Sequence, residues 1–315
     1  MLGISKKCVT PLTLAAFLVL LLNCQQEGSS SSRVTTRRGG TQNSGSGGAG
    51  SNINGVTTGE YILSSTSIPH ELQKKDGPSL IRHGFEEYGI GTTGNLLGYN
   101  ATPMTTGGIT NYLLIIHDKS GLSIAFQNLL KRFLGQNYGV FAINLFETGH
   151  PPQTIAEADR FFTNLKLNGD SPIIANIIQA ADHLRAEKAA KNIGLIGFGE
   201  GGTYAAKAFV GLKKGKFRTL VNFYGDVTPI KDHLHDLPAT SLHILALADP
   251  NTDQVLARTL GGLIKNDPLV PFKTEINPVA GVGNGFVEPY SEKYDNSAAQ
   301  KVFNLTFEFL EQNLR

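Results

Sequence analysis

The sequence predicts a doubly wound α/β domain, a mostly parallel sheet flanked by helices, over residues 60–315. Three observations predict it. Short runs of branched apolar residues recur along this stretch. Between them lie segments of helical length with apolar residues every three or four positions. One of the apolar runs ends in a glycine-rich turn that leads directly into a helix. Strands separated by helices pair in parallel, because the chain must cross back over the sheet before the next strand begins.

The elements follow in order. Tyr112 to His117 (YLLIIH) is short, branched and apolar, which predicts a buried strand. Leu122 to Leu134 places Leu122, Ile124, Ala125, Leu129, Leu130 and Phe133 at helical spacing. Tyr138 to Leu145 is a second buried strand, followed by helical stretches near 154–166 and 172–190. Asn192 to Phe198 is a third strand and Thr203 to Leu212 a helix. Leu220–Tyr224, Leu242–Ala248 and Phe272–Ile276 read as three more strands, with helices over Asp253–Ile264 and Ser297–Leu314.

The first 59 residues have a different character. Lys6 and Lys7 precede an eleven-residue stretch, Leu12 to Leu22, that is apolar except for Thr13 and too short to span a bilayer. It ends in Leu21-Leu22-Asn23-Cys24. This resembles a bacterial lipobox, which implies a signal peptide over 1–23 and a palmitate-bearing lipid on Cys24. Asn23 departs from the Gly or Ala usual before the Cys. The only other cysteine, Cys8, would leave with the signal peptide, so the remaining chain would hold no free thiol. That excludes a cysteine nucleophile and a cysteine-ligated metal. Residues 24–59 form a tether: within 28–59, nine of 32 residues are Gly, seven are Ser and none is acidic. Such a segment buries too little apolar surface to fold and reaches roughly 30 Å. The expected location is an exported protein held on a bacterial membrane through Cys24, with Gln25 favouring the outer one.

Composition limits the partners. The formal net charge is +2 and Lys and Arg are scattered, so nothing points to nucleic acid. No metal site and no cofactor is expected.

The most informative stretch is Gly197-Phe198-Gly199-Glu200-Gly201-Gly202, between a strand and a helix. Gly197, Gly199 and Gly202 satisfy G-x-G-x-x-G, and Asp226 ends the next strand where a ribose-binding acid would lie, so one reading is a dinucleotide site. Two buried strands precede the turn, however, whereas that fingerprint normally opens a domain. The other reading is a nucleophile elbow, G-x-Nuc-x-G, with Gly199 in the nucleophile slot.

The order of motifs carries a resemblance. LLIIHDKSG (113–121), YGVFAINLF (138–146), GFGEGG (197–202), FYGD (223–226), ILALADP (244–250) and GNGFVEPY with YD and AA (283–299) together resemble the dienelactone hydrolase family over residues 88–315. The resemblance implies an α/β-hydrolase fold. In that family a Cys or Ser attacks an ester or lactone carbonyl, a His accepts its proton, and an Asp orients the His. Asp249 matches the acid. Gly199 stands at the nucleophile position and Asn284 where the family has its His, so two of the three catalytic side chains are absent by this alignment. Glycine has no attacking group and an amide no basic nitrogen. Asp249 then reads as a loop carboxylate.

Parts of the machinery are backbone and would persist. The N–H of Glu200 and that of Lys119 or Ser120 are expected to point into the site. Asp118 matches an acidic family position beside the nucleophile, or is a helix-start residue. The resulting expectation is a non-catalytic binding module whose oxyanion donors hold a small carboxylate or carbonyl ligand. The alternative is a hydrolase with a rearranged site using His117, His150 or Glu200 as base. His243 is a further candidate base by type. Thr203, one turn into the helix, is expected to point away.

Overall fold

The computed structural model describes residues 59–62 and 80–315, apart from short breaks at 92–93, 106–107, 148–149, 168, 213–214, 251, 253, 268 and 271–273. The signal segment, Cys24 and the tether expected from the sequence lie outside the described residues. Among the described residues no helix is long and apolar enough to cross a membrane.

Nine strands form one sheet in the order β1-β2-β3-β5-β4-β6-β7-β8-β9. Its centre is β4 (Asn111–Ile116), β5 (Gly139–Ile143), β6 (Asn192–Phe198), β7 (Thr219–Phe223), β8 (Thr240–Ala246) and β9 (Thr274–Val279), all parallel. These are the six strands the sequence predicts, with ends shifted by a few residues. All but the edge strand β9 carry side chains on both faces into the core, hence their largely apolar runs. On β4, Leu113 and Ile115 join one core cluster while Leu114 and Ile116 join the other. That is the period of two.

The helices form the outer layers. On one face pack α1 (Ile124–Leu134) and the C-terminal α7 (Asn296–Leu314), through Phe126, Phe133, Phe303 and Leu310. The other face is covered by α3 (Asp170–Glu187), α4 (Glu200–Gly211) and α6 (Gln254–Asn266), with Phe162 of α2 (Ile155–Leu167) beside them. Ser123 caps α1, its hydroxyl accepting the Phe126 N–H at 3.2 Å. Asp295 caps α7 in the same way through Ala298. A single turn, α5 (Thr228–Lys231), follows β7.

One expectation fails. Strands and helices do not alternate from residue 60. The segments β1 (Gly59–Ile62), β2 (Leu80–Ile90) and β3 (Asn95–Pro103) are antiparallel and follow one another with no helix between β2 and β3. They extend the sheet beyond β5, to which β3 is antiparallel. The physical reason is one-sided burial. In β3, buried and partly exposed positions are mixed, and β2 leaves Phe85 and Ile90 exposed. Such half-covered strands need no crossover helix.

Candidate functional site

In a parallel sheet the loops that follow the strands gather at one edge, and ligands bind there. Here that edge assembles His117 and Asp118 after β4, Gly199 and Glu200 after β6, Tyr224 to Thr228 after β7, Asp249 after β8 and Asn284 after β9. A cleft of about 620 Å³ opens among them, lined by Asp118, Gly199, Tyr224, Asp226, Asn284 and Lys293 among others.

The turn from β6 to α4 is tight. Gly199 has φ 52° and ψ −124° and is the N-cap of α4. A side chain at this position would sit in a conformation that L-residues adopt only under strain. The turn also needs its other glycines. A Cβ on Gly201 would lie 2.3 Å from the His117 carbonyl oxygen, and one on Gly197 would lie 2.4 Å from the Gly201 carbonyl oxygen.

Gly199 offers no side chain to cap α4, yet the first N–H groups of a helix require acceptors. Asp118 supplies one from the neighbouring loop: its Oδ1 accepts the Glu200 N–H at 3.4 Å. The Lys119 N–H also bonds this carboxylate. Asp118 occupies the space above Gly199 so fully that a Cβ built there would stand 2.5 Å from its Cγ. Burial pushes the Asp118 carboxyl up from its usual range, against the pull of these N–H groups. The expected donors are therefore present, but a carboxylate of the same chain already holds them. The Ser120 side chain turns elsewhere, 3.2 Å from the Tyr290 hydroxyl. The Glu200 side chain pairs with Lys166 at 2.7 Å, which leaves it badly placed as a base.

Asp249 and Asn284 lie together. The Asn284 N–H donates to Asp249 Oδ2 at 3.3 Å, and Lys293 Nζ stands 3.6 Å from the same oxygen. The Asp249 side chain is only 4% exposed, and this lysine is a charge partner for it. Asn284 Oδ1 is buried and has no hydrogen-bond partner among the described residues.

None of the histidines expected as replacement bases lines the cleft. His117 is fully buried, and its Nε2 accepts the Leu145 N–H at 3.0 Å while Nδ1 lies 2.7 Å from the Asp118 carbonyl oxygen. A backbone N–H can only donate, so Nε2 carries no proton and Nδ1 does; the ring is neutral and both nitrogens are used. Burial pushes its pKa down to about 4. His117 thus ties the ends of β4 and β5 together. His243 lies inside β8, fully buried, its Nε2 3.1 Å from Ser241 Oγ and its pKa pushed down by burial to about 3. The Nδ1 of His150 is 2.9 Å from the Pro151 carbonyl oxygen, and the ring packs against Phe161. Thr203 corrects another expectation. It lines the cleft, and its Oγ1 accepts the Asp226 N–H at 3.0 Å, because the first turn of α4 faces the loop after β7.

Tyr224 lines the cleft and Glu288 stands behind it, a pairing the sequence did not predict. Tyr224 adopts φ 46°, rare for a residue with a Cβ, and its hydroxyl donates to Glu288. Glu288 is buried, and burial together with the Asp118 charge pushes its pKa up to about 7. The pairing had no signal in one sequence: a tyrosine ending a strand and a glutamate in a loop are ordinary residues.

A model of the Dienelactone hydrolase family matches residues 96–314. The chain belongs to the dienelactone hydrolase family. Solved structures of similar fold accompany this match. A candidate dienelactone hydrolase from Klebsiella pneumoniae subsp. pneumoniae superposes with a TM-score of 0.64 at 17% identity, covering 74% of this chain and 99% of that one. A dienelactone hydrolase-like promiscuous phosphotriesterase from metagenomic libraries gives 0.62 at 13% identity, covering 76% and 100%. The dienelactone hydrolase of Anabaena variabilis gives 0.54 at 15% identity, covering 82% and 99%. At these identities the likeness is one of fold. No curated protein sequence matches the chain.

Proposed function

We propose that this member of the dienelactone hydrolase family binds a ligand in the cleft without hydrolysing it. The observation that carries the reading is at the elbow: Gly199 has no attacking atom, and the space above it holds the Asp118 carboxylate. Acyl transfer needs a nucleophile, a base within reach of its proton, and donors free for the developing oxyanion. Gly199 lacks the first. Asn284 lacks a basic nitrogen, and His117 has both nitrogens engaged. The Glu200 N–H is bonded to Asp118. The dinucleotide reading is not preferred, since a carboxylate at the N-terminus of α4 repels the phosphate that such a site attracts. The full-length protein, assayed with p-nitrophenyl acetate and a dienelactone, is expected to show no saturable turnover above an Asp249→Ala control. Saturable turnover that Asp249→Ala removes defeats the proposal.

We also propose that the domain is tethered to a bacterial membrane through lipid on Cys24. The apolar run, the lipobox-like Leu21 to Cys24 and the absence of any cysteine after Cys24 support it. Cys24→Ser is expected to move the protein from the detergent phase to the aqueous phase in a detergent partition. A variant that still partitions wholly into detergent would end this reading.

A further inference from the structure

Resting on the non-hydrolytic reading of the cleft, we propose that its ligand presents a protonated amine, seated against the carboxylates of Asp118 and Asp226. The sequence alone suggested a carboxylate or carbonyl ligand on free oxyanion donors. The structure places a carboxylate of the chain itself on those donors: Asp118 accepts the Glu200 N–H at 3.4 Å and bonds the Lys119 N–H. An anionic ligand would meet a like charge at contact distance and would have to evict it.

The cations of the rim are already engaged. Lys119 Nζ is 3.1 Å from Asp159, Lys166 Nζ 2.7 Å from Glu200, and Lys293 Nζ 3.6 Å from Asp249. Asp118 and Asp226 have no ion pair with a Lys or Arg among the described residues. Among the described residues Asp226 Oδ1 accepts only from Thr228, its N–H at 2.9 Å and its hydroxyl at 2.8 Å. The hydroxyl donors beside them are spent as well, since Tyr224 gives its proton to Glu288 and Thr228 gives its own to Asp226.

An independent feature points the same way. Asn284 lines this cleft, and its Oδ1 is buried with no donor among the described residues. A buried acceptor without a donor is costly to leave unmade, so a ligand donor toward which this side chain turns gains there. Two carboxylates and an orphan amide oxygen on one cleft are a surplus of acceptors and negative charge. An ammonium carries three donors and the complementary charge. The raised pKa of Glu288, caused by burial and then by the Asp118 charge, agrees with negative charge beside the cleft.

Three probes with the same tail test this: butylammonium, butanol and butyrate. Each is titrated into the full-length protein at pH 8 and low salt. Butylammonium is expected to bind roughly tenfold or more tightly than either of the others. Asp118→Asn and Asp226→Asn should each weaken it about tenfold and leave butanol within roughly a factor of two. Asp226 is exposed, so its variant keeps the test valid if Asp118→Asn fails to fold. Butyrate binding most tightly, butanol matching butylammonium, no probe binding, or both folded variants binding butylammonium like the parent would each overturn the proposal. The same preparations are assayed for p-nitrophenyl acetate turnover. Turnover together with amine selectivity would defeat the non-hydrolytic reading and leave the ligand class standing. Amine-blind protein without turnover would do the reverse.

Discussion

Gly199→Ser is expected to lower the stability of the domain by about 3 kcal/mol, more than a strained backbone alone would cost. Two contributions add. At φ 52° and ψ −124° a residue with a Cβ stores about 1–3 kcal/mol. The new Cβ would also stand 2.5 Å from Asp118 Cγ, so the carboxylate must leave the Glu200 N–H that it caps. Overpacking of this kind costs about 1–3 kcal/mol where the neighbour can yield. The two costs are separable in a double-mutant cycle, because Asp118→Ala removes the collision and leaves the strain. Gly199→Ser is therefore expected to cost less in the Asp118→Ala background than in the parent, read from urea midpoints at constant m-value. Additive losses would mean that Asp118 does not occupy the space above Gly199. Gly201→Ala sets the upper limit. Its Cβ would meet the His117 and Ile116 carbonyl oxygens at 2.3 and 2.6 Å, and backbone cannot step aside as a side chain can. The consequence for function is direct. Rebuilding a triad with Gly199→Ser and Asn284→His against Asp249 should give no ester hydrolysis until Asp118 is also trimmed and the oxyanion donors are freed.

The second large effect is a stability maximum close to pH 6.5. His117 and His243 are buried neutral, with pKa values pushed from 6.5 down to about 4 and about 3. In the unfolded chain both take up a proton as pH falls below 6.5, while the folded state refuses it. Their contribution is thus fully present above pH 6.5 and is lost as pH falls toward 4 and 3. At about 1.4 kcal/mol per pKa unit, His117 alone is worth on the order of 3 kcal/mol. Glu288 works in the opposite sense. Its pKa rises on folding from 4.5 to about 7, so its contribution is complete below pH 4.5 and is lost as pH rises through 7. Asp118 shifts in the same direction for the same cause, burial. Between pH 4.5 and 6.5 two histidines gain with pH while Glu288 and Asp118 lose, so stability rises once the Asp118 carboxyl is ionised and peaks close to pH 6.5; the decline through 7 is shallow and ends just above it. Urea midpoints measured from pH 4 to 9 should trace this dome. Glu288→Gln keeps an acceptor for the Tyr224 hydroxyl and has no charge to bury, so it should steepen the rise between pH 4.5 and 6.5 and remove the decline through 7. An unchanged profile between pH 4.5 and 7 in that variant would show that Glu288 is not the titrating group.

The sites differ in how legible they were. Gly199, Asp249 and Asn284 were placed by motif order. The structure gathers all three at the C-terminal edge of the sheet, Asn284 donating to Asp249 across 35 positions of sequence. The role of Asp118 was half visible, as an acid after β4; that it caps α4 in place of an absent side chain depends on how two loops meet. Tyr224 and Glu288 lie in two of the quoted motifs, but their pairing, like that of Lys293 with Asp249, carried no signal, because each is a contact between distant segments. The histidines show the same limit from the other side. His117 ends an apolar strand at the site edge and looks available in sequence; only the distances to Leu145 and Asp118 reveal that both nitrogens are spoken for.

By itself the sequence determined the six parallel strands, their helices and the glycine elbow, because periodicity and glycine placement are local properties that each segment carries wherever it packs. The antiparallel extension β1 to β3 and the state of the cleft were decided only by tertiary structure. Half-covered strands owe their pairing to neighbours rather than to their own pattern. Whether an oxyanion donor is free, or a histidine basic, depends on which buried group lies a few ångströms away and on the loss of water around it.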